Sequence, residues 1–265
     1  MKTCSTVTVR DLPSERKCTR LFHRLTFGTE DCPTCLCRIQ YNTGYAWCPG
    51  CRRKIYVKAH SWLKDSHLSF RQLWLLLLAW QKKQSPGSAR ILVGISYTAS
   101  RRWFLRFREH LPEDCMLLDG AVEADESFFG KRKFGHQTIV AGVRQRGGSV
   151  RLGMLEDRSG PRLTTFLIAR VLKRALLLTD DHDGYLAAEA AGFAREVCVH
   201  DKGEFSLTAG IENIWSRCKC QMRRQYGRFL PFYLRGWLKE WEARVNRPEL
   251  FISPETYLSY CLVPC

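Results

Sequence analysis

The sequence contains no apolar run long enough to cross a membrane. The longest, Leu73 to Trp80, has eight residues and lies between Arg71 and Lys82, whereas a helical span needs roughly 20. The opening residues, MKTCSTVTVRDLPSERK, hold no continuous apolar stretch of the kind an export signal carries, so secretion is not expected. There is no internal repeat and no low-complexity tract. Acidic residues are in short supply, 26 Asp+Glu against 42 Lys+Arg, for a net charge of +16. A disordered basic tail is excluded all the same, because 45% hydrophobic and 12% aromatic residues over 265 positions are globular values. That length provides one large domain or two smaller ones with room for a core. The positive excess bears on partners rather than fold, and nucleic acid fits it better than an anionic membrane surface.

Cysteine is abundant, and its count of 13 is odd. Without an export signal these residues read as reduced thiols or metal ligands rather than a disulfide framework. The expected compartment is reducing: the cytoplasm, in association with the nucleoid, in a bacterium, or the nucleus in a eukaryote. The charge is uneven. Residues 1–117 hold 20 Lys+Arg and 8 Asp+Glu, net +12, whereas residues 118–265 hold 22 and 18, net +4. Polyanion binding is therefore expected in the first part and carboxylate chemistry in the second, with boundaries near Ser85-Pro86-Gly87 and Leu111-Pro112.

Cys32-Pro33-Thr34-Cys35 and Cys48-Pro49-Gly50-Cys51 are two CxxC pairs separated by twelve residues. Each pair can hold one ion from a tight turn, and together they supply the four-sulfur shell that Zn²⁺ prefers. Tyr41, Thr43, Tyr45 and Trp47 alternate as a strand would between them, which predicts a small zinc ribbon dependent on its metal. Next, Ser69 is a candidate N-cap for an apolar helix that runs to Lys83 and is broken by Ser85-Pro86-Gly87. A short helix at Ala89–Val93, a turn at Gly94 and a helix from Ser96 bearing Arg101, Arg102, Arg106 and Arg108 have the order of a helix-turn-helix. Arg101 and Arg102 are the candidate recognition residues, against the plainer reading of a helical bundle with a solvated basic face.

In the second part, Leu118 to Glu126 reads as a buried strand ending in acids, with Gln137–Val143 and Val150–Leu155 as hairpin partners. A helix over Pro161–Arg174, an apolar strand from Ala175 ending on Asp180, a helix near Gly184–Ala191, a strand at Arg195–His200 and a helix from Thr208 to Arg224 follow. This element order predicts a ribonuclease-H-like α/β sheet with Asp125 and Asp180 on neighbouring strands. An acid from the last helix, Glu212 or alternatively the oxygen of Asn213, completes a set of oxygen ligands suited to Mg²⁺ or Mn²⁺. Two such ions activate an attacking oxygen and stabilise a leaving one in phosphodiester chemistry.

Val122-Glu123-Ala124-Asp125-Glu126-Ser127-Phe128-Phe129-Gly130, followed by Lys131, Arg132 and Lys133, resembles the first-aspartate motif of the zinc-ribbon insertion-sequence transposases of the ISXO-like group, relatives of the Merlin elements. Thr179-Asp180 with Gly184-Tyr185 is similar to the second motif, and Val199-His200 with Lys202-Gly203-Glu204-Phe205 to the third. Ile211-Glu212-Asn213-Ile214-Trp215-Ser216 with Lys219 resembles the last, and Arg244-Val245-Asn246-Arg247 the closing segment. The resemblance implies a DDE-type DNA transposase that binds terminal inverted repeats of double-stranded DNA, nicks element ends and joins them to a target as a homodimer in a synaptic complex. It implies Asp125, Asp180 and Glu212 as catalytic metal ligands, and Lys131, Arg132, Lys133 and Lys219 as DNA contacts. The chain departs from the family's pattern at Ala209, where Asn is usual, and at Asp181, where Gly often stands. The expected organisation is an N-terminal extension (1–28), a zinc ribbon (29–58), a helical DNA-binding module (59–117) and a ribonuclease-H-like DDE domain (118–265). A zinc-ribbon regulator with an inactive second half shares every N-terminal feature, and a metal-dependent nuclease without strand transfer shares the acid site.

Overall fold

The computed structural model describes residues 12–130, 137–198, 207–227 and 231–262. The chain divides into two compact units. One holds the residues up to Phe104 together with those from Glu249 on, and the other spans Leu105–Pro248.

In the first unit Ser14 caps helix α1 (Glu15–Phe27) by accepting from the Lys17 amide, and Gly28 ends it in the left-handed conformation. Strands β1 (Gln40–Tyr41), β2 (Ala46–Cys48) and β3 (Arg53–Ile55) form an antiparallel sheet in that order. The expected hairpin is therefore present, but Thr43 and Tyr45 lie in its connection rather than in a strand, and a third strand joins it. Helix α2 (Phe70–Gln81) starts at a reciprocal capping box between Ser69 and Gln72. Helix α3 (Pro86–Val93) is capped by Ser85, carries Pro86 in its first turn and stops at Gly94, at φ 72°. Helix α4 (Tyr97–Glu109) follows at once, so the helix-turn-helix order is realised. Trp80, fully buried, packs against Phe251 and against Tyr257 of helix α9 (Pro254–Cys261). The Gln81 amide donates to the carbonyls of Leu250 and Ser253, each at 2.7 Å.

The second unit is built on five strands: β4 (Ala121–Phe129), β5 (Thr138–Gln145), β6 (Val150–Leu155), β7 (Leu176–Thr179) and β8 (Ala194–Val197). Their spatial order is β6-β5-β4-β7-β8, antiparallel from β6 to β4 and parallel from β4 through β7 to β8. Side chains alternate across β4. Val122 and Ala124 join one core cluster with Leu163, Phe166 and Leu167 of helix α5 (Gly160–Ile168) and Ala188 of helix α6 (Leu186–Ala190). Phe129, on the other face, joins Ile211, Ile214 and Trp215 of helix α7 (Ala209–Tyr226) with Trp237 and Trp241 of helix α8 (Leu234–Asn246). The sheet is thus covered by helices on both faces, the mixed α/β sheet of the ribonuclease-H-like class.

Strand β4 has the expected nine residues but lies three further along the chain than Leu118–Glu126, because its antiparallel pairing with β5 carries on to Phe129. Asp125 therefore stands inside the strand rather than at its end. Arg108, expected on a DNA-facing helix, is instead buried, its Nε 2.7 Å from Glu240 Oε2, while Arg244 Nε holds Oε1 at 2.8 Å. The closing Asn246 and its neighbour Glu242 cover the sheet's edge. Asn246 Oδ1 accepts the Val150 amide at 2.8 Å, and a Glu242 carboxylate oxygen accepts that of Leu152 at 3.0 Å. An edge strand's open amides are thereby satisfied by side chains.

Candidate active site and metal centre

Each CxxC of the ribbon is a tight turn followed by a residue in the left-handed region, Leu36 at φ 59° and Arg52 at φ 55°. The Leu36 amide bonds the Cys32 carbonyl at 2.9 Å. These turns bring the four sulfurs together. The Sγ atoms of Cys32 and Cys51 are 3.7 Å apart, those of Cys35 and Cys48 are 3.3 Å apart, and all four lie within 4.8 Å of one another. For a tetrahedral ion with bonds near 2.3 Å the sulfur–sulfur edge is about 3.8 Å, so the donor set fits a structural metal. Among the described residues it is the one such group of three or more ligand-type side chains.

The acid site is put together by the sheet. Glu123 pairs with Leu178 across the parallel β4–β7 ladder; two residues further on stand Asp125, still in β4, and Asp180, just past the end of β7. Asp125 is half-buried, and its Oδ2 accepts the indole N–H of Trp215 at 3.0 Å. That indole needs space opposite Asp125, and Gly142, its cross-strand partner, provides it: a Cβ at Gly142 would lie 2.5 Å from the ring. Burial first, then the charges of Glu126 and Asp180, push the Asp125 carboxyl up to about 7. Negative charge is thus concentrated where a cation would be welcome.

Asp180 is held from behind. Arg195 on β8 donates to the Asp180 carbonyl at 2.8 Å and to Thr179 Oγ1 at 2.7 Å, which fixes the backbone as it leaves β7. Glu126 points to the opposite face from Asp125 and is buried. Arg158 Nε approaches it at 3.0 Å, and the Tyr185 hydroxyl donates to its other oxygen. Burial, followed by the Glu126 charge, holds the Tyr185 phenol well above its ordinary pKa and so protonated. The Gly184-Tyr185 motif thereby ties the Asp180 loop to β4.

The other expected residues fall as follows. Glu212 lies on α7, exposed, and accepts from the Thr208 hydroxyl at 2.8 Å. No contact brings it to Asp125 among those described. Thr208 occupies the N-cap position, as expected, but makes no side-chain bond to the helix amides. Lys219 is half-buried with its Nζ 5.3 Å from the centre of the Phe129 ring. Burial lowers its pKa, and Asp125 acts on it in the opposite sense. Arg102 is exposed, while Arg101 is half-buried and sits 5.6 Å from the centre of the Tyr97 ring. Lys131, Arg132, Lys133, His200 and Lys202 to Phe205 lie outside the described residues. Sequence reasoning passed over Glu123, Gly142, Arg158 and Arg195. The one signal for them was the spacing of acids in Glu123-Ala124-Asp125-Glu126, which puts two on one face of a strand and the third on the other.

A ribonuclease-H-like sheet with one aspartate inside β4 and another directly after the end of its parallel neighbour β7 defines the class. The family is given by comparison: residues 117–246 match the ISXO2-like transposase domain, and the chain carries a domain of that family, a DDE-type transposase. No curated protein matches it. Among solved structures it is similar to a chain of the simian T-cell lymphotropic virus intasome in complex with PP2A regulatory subunit B56 gamma, at 12% identity and a TM-score of 0.39, covering 65% of this chain and 68% of that one. It is also similar to the HTLV-2 integrase catalytic core domain in complex with magnesium. The trimeric form gives 10% identity and a TM-score of 0.36, and the dimeric form 12% and 0.34, each over 51% of this chain and 89% of that one. The chain's own strand order, β6-β5-β4-β7-β8, is that of the ribonuclease-H-like class.

Proposed function

We propose that the protein binds the terminal inverted repeats of a mobile element and carries out metal-dependent cleavage and strand transfer of double-stranded DNA. The observation that carries this reading is the placement of Asp125 in β4 and of Asp180 directly after the neighbouring parallel strand β7, each two residues past the Glu123–Leu178 pair, in an ISXO2-like domain. Their oxygens suit Mg²⁺ or Mn²⁺, and Glu212 is proposed as the third ligand. In its favour, Glu212 shares a helical stripe with Trp215 and Lys219, at spacings of three and seven residues, and both of these act on Asp125. Divalent ions held there activate the attacking oxygen and stabilise the leaving one. The chain's own residues do the rest: Trp215 orients Asp125, Arg195 fixes the carbonyl of Asp180, and Lys219 adds positive charge beside the acids.

Zn²⁺ is the proposed ion of the four sulfurs, with a structural part only, since a Cys₄ shell leaves no position for substrate. DNA contacts are assigned to Arg101 and Arg102 on α4, to Lys131, Arg132 and Lys133, and to Lys219. The proposed organisation is the ribbon at 29–58, the helical module at 59–117 and the catalytic domain from 118. Joining two element ends calls for a homodimer. None of the described helices is long and apolar enough to cross a membrane.

The reading is tested with DNA carrying the inverted repeats that flank the gene. Asp125→Asn and Asp180→Asn should each lower Mg²⁺-dependent cleavage by about 10³-fold or more while leaving DNA affinity within about twofold, as loss of a transition-state charge requires. Undiminished cleavage in either variant would remove that residue from the site. Cleavage without joining would leave a nuclease.

A further inference from the structure

The acid two residues before Asp125 is engaged by protein groups on both of its oxygens. Glu123 is 4% exposed, and its Oε2 accepts the backbone N–H of Ile211, third residue of α7, at 2.7 Å. Arg146 joins its Oε1, at 3.4 Å, to the Leu207 carbonyl, at 3.1 Å. First-turn amides have no partner within their own helix, and a carboxylate there is favoured by the helix dipole. Because the Thr208 hydroxyl is turned to Glu212 instead, the cap of α7 comes from β4. Gly210 belongs to the same arrangement. A Cβ there would lie 2.4 Å from Glu123 Oε2 and 1.8 Å from Arg144 Nη1, so the two side chains occupy its space. The device recurs in the other unit, where Glu15 accepts the Phe70 and Arg71 amides at 2.9 and 2.7 Å at the head of α2.

Two residues along a strand advance about 6.7 Å, and four along a helix about 6 Å. Glu123 with Ile211 and Asp125 with Trp215 are therefore successive rungs between β4 and α7. A helix gripped at both rungs cannot slide along the strand.

We propose that Glu123 is a positioning residue for the active site: it clamps the head of α7, so that the turn bearing Glu212 and the Trp215 indole stay in register with Asp125. The clamp rests on the reading of Asp125 as a metal ligand and α7 as the carrier of the third acid.

The test uses the full chain, with Glu123→Ala, Glu123→Gln, Gly210→Ala and the Asp125→Asn control. In magnesium-free protein, Glu123→Ala should speed hydrogen exchange in the first turn of α7 by about fivefold, as loss of a helix cap does. The strands should keep their protection. Glu123→Gln retains an acceptor oxygen and should stay within about twofold of the parent. In cleavage, Glu123→Ala should raise the Mg²⁺ concentration for half-maximal rate by about tenfold or more, as removing support from a ligand does, with Gln restoring most of it. Gly210→Ala, which displaces the carboxylate without deleting it, should move both readouts the same way. In Glu123→Ala the added methyl meets Arg144 Nη1 alone, so the double variant should fall short of the sum of the two single effects.

Unchanged exchange in α7 together with an unchanged Mg²⁺ midpoint in Glu123→Ala would overturn the clamp, as would exchange accelerated equally across the whole second unit. Normal cleavage by Asp125→Asn would instead defeat the site assignment on which the clamp stands. A dead Asp125→Asn beside an unshifted Glu123→Ala would defeat the clamp alone.

Discussion

The ribbon and the sheet each gather metal-type ligands, by opposite means. The ribbon's four sulfurs come from two turns only sixteen residues apart in their starts, Cys32 and Cys48, and lie within 4.8 Å of one another. Around them is a small cluster of Ile39, Ala46 and Ile55 with the cysteines themselves. So slight a core leaves the proposed ion to supply the folding free energy. In the sheet, Asp125 and Asp180 are 55 residues apart in sequence and meet because β4 and β7 are neighbours between two apolar layers. There the fold comes first and tolerates the cost of crowding acids. Local turns suit a site that makes structure, and distant elements suit one that uses structure already made.

Metal removal separates the two most sharply. Stripping the ribbon, or replacing Cys48 with Ala, should abolish its folded signals, because structural zinc contributes apparent binding free energies of about 10–16 kcal/mol. Magnesium removal should leave the melting transition of the second unit in place. Calorimetry with a zinc assay checks this, and a ribbon that melts unchanged without its metal would erase the contrast. Next in size is Arg108→Ala, which strands part of the fully buried Glu240 charge and should cost about 3–5 kcal/mol, read as a fall in the denaturation midpoint of the second unit. Gly142→Ala should cost about 1–3 kcal/mol by overpacking, since it pushes the Trp215 ring off Asp125. Tryptophan fluorescence should report the displaced indole.

The remaining effect is one of pH. In magnesium-free protein, burial and then the neighbouring acids raise Asp125 from 3.8 to about 7. A carboxyl raised on folding disfavours the folded state once ionised. Its contribution is thus harmless below about pH 4, and stability falls as pH rises towards 7. Parent and Asp125→Asn melting curves should diverge across that window, with the parent losing ground, and parallel curves would place Asp125 in a more solvated setting.

Much of this was legible in the chain. The CxxC spacing marked the ribbon because its ligands are local, and the helix start at Ser69 was visible because a cap is a short-range device, whereas Ser85-Pro86, read as a break, is the cap and first turn of α3, which begins three residues before the expected Ala89. Apolar runs gave the sheet's element order, and Asp125 and Asp180 stood out at the margins of two of them. The end of β4 was misjudged because pairing with β5, not local preference, carries it to Phe129. Arg108 looked like a surface base, since its partners lie over a hundred residues on, at Tyr226 and Glu240.

By itself, then, the sequence determined the ribbon, the helix-turn-helix order, the class of sheet and the identity of its acids, all of them set by spacing and periodicity along one stretch of chain. Tertiary structure alone decided what each acid does. Period-two alternation sends Glu123 and Asp125 to α7 and Glu126 to Tyr185 and Arg158. Whether a carboxylate meets an amide, an indole or a guanidinium depends on which helix covers which face, and that is a property of the packed sheet rather than of any segment in it.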